Sequence, residues 1–251
     1  MSKINAKNFV IAIETSGRKG SVALAKGTFL LEQYDFPGQM EHAANILPAI
    51  EHLLKNHNFG CTDITHICLS IGPGSFTGLR IAATLAKTLV LAQPSVKIIT
   101  VDTLDLIAQN FTNYPEPQNA SIASVLDAKR GQFYIATFKY RRELPTDSDT
   151  MAEENHHIYR TSENLLLRPE NFIENYTSDL KPIFLLGEGL LYYKDRFAHP
   201  NTVICPETLW YPSAANVHRL AYPKVIAGQF EPPQTLRPQY LRDPDAKPKR
   251  I

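Results

Sequence analysis

Residues 71–91 read IGPGSFTGLRIAATLAKTLVL, and the first third of this stretch constrains the fold more than any other part of the chain. Gly72, Pro73, Gly74, Ser75, Thr77 and Gly78 fall within seven positions, between an apolar run and a helical pattern. Punctuation that dense marks a backbone with no room for side chains. Downstream, Leu79, Ala82, Ala83, Ala86, Leu89 and Val90 recur at helical spacing. The apolar face of that helix is half alanine, which suits close packing by another helix inside a lobe or between subunits.

The glycine block has two readings. Free backbone N–H groups at a helix start, with Ser75 as N-cap, can face a phosphate or a partner backbone. The plainer reading is a tight strand-to-helix turn. A Walker loop is excluded, because Leu79 stands where its lysine would be.

A chain of 251 residues with 43% apolar content can build one large domain or two compact lobes. Its 26 Lys and Arg against 25 Asp and Glu give no field that would hold nucleic acid unaided. The three cysteines, Cys61, Cys68 and Cys205, form no C-x-x-C pair. With a polar start and no apolar run near about 18 residues, they lead us to expect a reduced, soluble, cytoplasmic protein without a membrane span.

In chain order, residues 9–13, 20–25 and 29–35 predict three strands, the first two joined by a short polar turn after Glu14. Ala43, Ile46, Leu47, Ile50, Leu53 and Leu54 predict a helix over 40–54, with Pro48 bending it or lying near its start. Strands follow at 63–71 and 96–101, and Asp102 with Thr103 can cap a helix over 104–111. The Pro- and Asn-rich residues 112–119 mark a lobe boundary. Strands over 122–126 and 132–140 then form a hairpin around the turn 127–131. Residues 141–157 carry almost no apolar pattern and predict a loop or the mobile tip of a hairpin. A strand over 183–186 ends at Gly187 and Gly189, and 213–226 reads as a helix that Pro223 should end or kink. Five prolines beyond Phe230 predict an extended basic tail. The expected organisation is an N-terminal lobe at 1–111, a C-terminal lobe at 112–230 and a tail at 231–251. Each lobe is expected to be a mixed sheet covered by helices.

Reactive constellations are scarce. No two of the eight histidines lie four apart, so a helical H-x-x-x-H metal pair is excluded. There is no G-x-S-x-G elbow. Glu14 and Asp127, each ending a strand at a glycine-containing turn, could in principle hold magnesium and phosphate.

Six blocks resemble the TsaB (YeaZ-like) family: IAIETS at 11–16 with SVAL at 21–24, HAANILPAIEHLL at 42–54, GPGSFTGLRIA at 72–82, LDAKRGQFY at 126–134 and PQYLR at 238–242. They span nearly the whole chain, and the resemblance implies the following. The fold would be the two-lobe actin-like ATPase fold of the ASKHA, RNase H-like class. The role would be that of a non-catalytic scaffold in synthesis of N6-threonylcarbamoyladenosine at position 37 of tRNA. The partners would be the catalytic paralogue TsaD and the ATPase TsaE, with a homodimer when alone and tRNA met only within the complex. No cofactor is expected on this subunit; ATP, magnesium and a metal ion would belong to TsaE and TsaD.

The implied partner surface is helical, carried by His42, Ile46, Ile50, Leu53, Phe76, Leu79, Ala83, Ala86 and Lys87. A vestigial phosphate loop would comprise Glu14, Thr15, Ser16, Asp127, Gly187 and Gly189. Glu14 stands where the family usually has Asp, and the turn at 16–19 is no full kinase phosphate loop. The alternative is an ATP-dependent enzyme of the actin and sugar kinase superfamily, using Glu14, Asp127 and the Gly187 turn.

Overall fold

A computed structural model of the chain describes residues 8–39, 41–115, 117–143, 155–177 and 181–239. The first sheet joins β1 (Phe9–Glu14), β2 (Ser21–Lys26), β3 (Phe29–Asp35), β4 (His66–Gly72) and β5 (Lys97–Asp102) in the order β3-β2-β1-β4-β5. The three N-terminal strands pair antiparallel, and β4 and β5 add on in parallel. Successive side chains on a strand face opposite ways. Ile11, Ile13, Val22 and Leu24 therefore pack beneath the helices α1 (His42–Asn56) and α2 (Phe76–Ala92). Val10, Ala12, Ala23 and Ala25 take the other face, under α5 (Ala214–Ile226).

The second sheet has the order β11-β10-β6-β7-β8, from β6 (Asn119–Asp127), β7 (Phe133–Glu143), β8 (Asn155–Arg160), β10 (Ile183–Leu186) and β11 (Thr202–Ile204); β9 (Leu165–Leu167) pairs off this path with β7. The short helix α4 (Pro169–Tyr176) sends Phe172 into its core. Helix α3 (Thr103–Gln109), capped by Asp102, lies between the sheets. Its Leu104, Ile107 and Ala108 join the second core, and its Leu106 the first.

Several expectations are corrected. Helix α5, assigned above to the C-terminal lobe, covers the first sheet instead, because Ala214, Val217, Ala221 and Val225 match that sheet's small-residue face. Residues 231–239 do not trail away: the Glu231 amide donates to Ile98 O, the Gln239 amide to Ile71 O, and Leu236 is buried in the first core. One leucine among prolines is enough to anchor the strap. The rest of the expected tail, with the end of the PQYLR block, lies outside the described residues. Of the two readings of 141–157 the pairing fits the hairpin, since Arg141 pairs antiparallel with His157 and Arg142 with His156 at the ends of β7 and β8. Residues 144–154 lie outside the described residues. Pro48 sits inside α1 without ending it, and Pro223 inside α5. Pro48 faces solvent, where water can satisfy the carbonyl it leaves unbonded. Among the described residues no helix is long and apolar enough to cross a membrane.

Candidate functional site

The glycine block is compressed because it lies directly on the first hairpin turn. A Cβ on Gly78 would stand 1.9 Å from the Thr15 carbonyl oxygen, and one on Gly74, at φ 159°, 2.5 Å from that of Ser16. Hydrogen bonds fix the same contact. Thr15 Oγ1 donates to Gly78 O at 2.9 Å, and the Ser75 amide donates to Ser16 O at 2.7 Å. Ser75 Oγ caps α2 by accepting from the Gly78 amide. His42 Nε2–H donates to Gly17 O at 2.9 Å, so the start of α1 holds the turn from the other side.

This turn forms one wall of a cleft between the lobes, about 640 Å³ in volume. Ser16, Gly17 and Arg18 line it from the first lobe with Gly74, Ser75 and Phe76; Leu126, Asp127, Tyr134, Glu188, Tyr192 and Tyr193 line it from the second. Glu14 is fully buried behind the turn, and its Oε1 accepts from the Ser16 amide and hydroxyl, both at 2.5 Å. Burial raises its pKa, against those hydrogen bonds. Glu188 reaches across the cleft and accepts from the Arg18 amide at 2.9 and 3.1 Å. Burial pushes Glu188 up to about 7, and the nearby Glu14 charge adds to the rise.

Of the residues expected in a phosphate loop, Ser16 and Asp127 meet in this cleft. Thr15 is spent on clamping α2. Asp127 holds its own hairpin turn, accepting from the Lys129 amide and ammonium, both at 2.7 Å. Gly187 and Gly189 serve packing: their Cβ positions would lie 2.2 and 3.0 Å from Val125 O. The residue between them, Glu188, is the one that acts, and sequence reasoning read that motif for its glycines. Among the described residues, no group of three or more His, Cys, Asp or Glu could hold a metal ion.

The helical surface also needs correction. His42, Ile50, Leu53, Leu79, Ala83 and Ala86 are buried within the chain, and Ile46, though 3% exposed, lines the floor of the groove between α1 and α2. Apolar periodicity marks the face a helix turns to its own sheet. Of the nine residues expected there, Phe76 and Lys87 are exposed. The outward face is a groove of about 600 Å³ between α1 and α2, lined by Ala43, Leu47, Ile81 and Leu85 among others. Leu47 is 59% exposed and Phe76 39%, with the Arg80 guanidinium 3.7 Å from the Phe76 ring centre. Phe76 lines both cleft and groove.

Two helix-covered sheets with such a cleft between them define a two-lobed α/β protein. The structure of YeaZ from Pseudomonas aeruginosa superposes with a TM-score of 0.75 over 93% of this chain and all of that one, at 23% identity. A family model described as TsaD: tRNA N6-adenosine threonylcarbamoyltransferase matches residues 38–249, and the chain belongs to this family, in its TsaB (YeaZ-like) branch. The tRNA threonylcarbamoyladenosine biosynthesis protein TsaB of Bacillus subtilis is 31% identical over 135 residues. That match spans 54% of this chain and 57% of the Bacillus protein. The protein of the same name from Escherichia coli is 25% identical over 93% of this chain and 94% of its own length.

Proposed function

We propose that this chain takes part in the synthesis of N6-threonylcarbamoyladenosine in tRNA as a non-catalytic subunit. It docks the catalytic TsaD paralogue on the α1–α2 groove and, with TsaE, completes the complex. The groove itself carries the reading: Leu47 and Phe76 are exposed on a surface with a concave apolar floor. Contiguous exposed apolar surface of this kind marks a protein interaction site. The relatives' name supports the pathway. In the absence of TsaD the same groove would serve a homodimer. ATP, magnesium and the catalytic metal would be carried by the partners.

The chain's own residues supply shape and position. Cation–π stacking holds Arg80 over Phe76 at the groove's mouth, and the buried alanines of α2 let it lie close to the first sheet. A productive interface of standard size would bury about 1,200–2,000 Å² in total.

Reconstitution tests the reading. The chain alone should leave tRNA unmodified, and its addition to TsaD, TsaE and the threonylcarbamoyl donor should raise the rate of modification. Modification of tRNA by the chain alone, or an unchanged rate on its addition, would contradict it.

A further inference from the structure

Two amides of the first hairpin turn, those of Ser16 and Arg18, point at carboxylates of the chain itself. The Ser16 amide donates to Glu14 Oε1, and the Arg18 amide donates to both oxygens of Glu188. Glu14 belongs to the strand entering the turn. Glu188 comes from the other lobe, 170 positions beyond Arg18. A turn amide that faces a concavity attracts an anion, and of the two it is the Arg18 amide that faces the cleft. Here the site is filled from within.

The arrangement is built for its occupant. A Cβ on Gly17 would stand 2.4 Å from Glu188 Oε1, so only glycine admits the carboxylate there. On the opposite side, Gly187 at φ 126° lets the Glu188 turn press against Val125. The site opens onto the cleft, where Ser75 and Phe76 bring the positive end of the α2 dipole. Burial and the Glu14 charge raise Glu188 to about 7, against the hydrogen bond from the Arg18 amide.

We propose that Glu188 is an internal ligand: its carboxylate occupies an oxyanion site on the Ser16–Arg18 turn, excludes phosphate from it, and clasps the two lobes across the cleft. This inference concerns the cleft and is independent of the partner groove.

Titration of inorganic pyrophosphate into the full chain at mildly alkaline pH, followed by calorimetry, tests it. Wild type should give no saturable binding. Glu188→Ala should bind saturably, and Glu188→Gln, which keeps the volume and loses the charge, should also bind, at a pyrophosphate concentration at least about tenfold below any at which wild type responds. Adding Gly17→Ala to either variant should abolish the gain, because the new methyl group enters the site. Failure of both Glu188 variants to bind more tightly than wild type overturns the proposal, as does a gain that survives Gly17→Ala. Should Glu188→Ala not fold, the glutamine variant carries the test.

Discussion

Replacing Gly78 by alanine tests whether α2 is clamped onto the first hairpin turn. The added Cβ would stand 1.9 Å from Thr15 O, with the Thr15 carbonyl carbon at 3.0 Å and His42 Cδ2 at 3.1 Å. Ordinary carbon–oxygen contacts lie at roughly 3.3 Å or more, so the start of α2 must retreat by more than about 1 Å. Backbone stands on both sides, and no flexible side chain can yield. The retreat stretches the Thr15 Oγ1 to Gly78 O bond of 2.9 Å and the Ser75 amide to Ser16 O bond of 2.7 Å. Overpacking costs about 1–3 kcal/mol, and loss of a buried hydrogen bond about 1 kcal/mol more. Alanine's better helix propensity returns up to about 1 kcal/mol, leaving a net loss of about 1–3 kcal/mol. Urea denaturation reads this directly. Gly60→Ala is the control, since its nearest neighbour would be 3.6 Å from the new Cβ; its stability should stay within about 0.5 kcal/mol of wild type. Equal stability of the two variants would refute the clamp.

Other outcomes follow from the same contacts. Glu188, raised from 4.5 to about 7, is favoured protonated in the fold; its contribution is fully present below 4.5 and is lost as pH rises through about 7. At about 1.4 kcal/mol per tenfold change in proton affinity, the upper limit is about 3 kcal/mol. The Glu188→Gln variant should therefore lose less stability than wild type between mildly acidic and mildly alkaline pH, as read by melting temperature. Asp105, raised to about 6, leaves it a residual slope of the same sign. Ala83→Trp should destabilise by about 1–3 kcal/mol in chemical denaturation, because Ala83 is 7% exposed and belongs to the first core. With a thiol reagent, Cys61 should react in the native protein while Cys68 and Cys205 wait for unfolding, since both are buried and burial pushes their thiols up, Cys205 to about 12.

The first sheet was legible because alternation and turn residues write it plainly: Ile11 and Ile13 against Val10 and Ala12, then Glu14 to Gly20. The glycine block announced a close approach, and the structure supplies its cause in the Thr15 and Ser16 carbonyls. What could not be read is what depends on distant partners. The choice of α5 for the first sheet rests on a small-residue face complementary to strands more than 100 positions earlier. The outward face of α1 was missed because Leu47 lies one position from Ile46, and apolar character alone does not say which of two neighbours turns inward. Glu188 carried a signal, an acidic residue between two glycines after a strand. Its meaning required the Arg18 amide of the other lobe.

The account's central claim is that the α1–α2 groove is a docking surface for a TsaD-type subunit. Leu47→Asp bears on it most directly: Leu47 is 59% exposed, so the change should leave stability nearly untouched while placing a charge in the apolar groove. Wild-type chain mixed with TsaD from the same source should elute with it as one complex on gel filtration, and the Leu47→Asp chain, with an unchanged melting temperature, should elute apart. Separate elution of the wild-type chain, or a complex that tolerates the aspartate, would contradict the account.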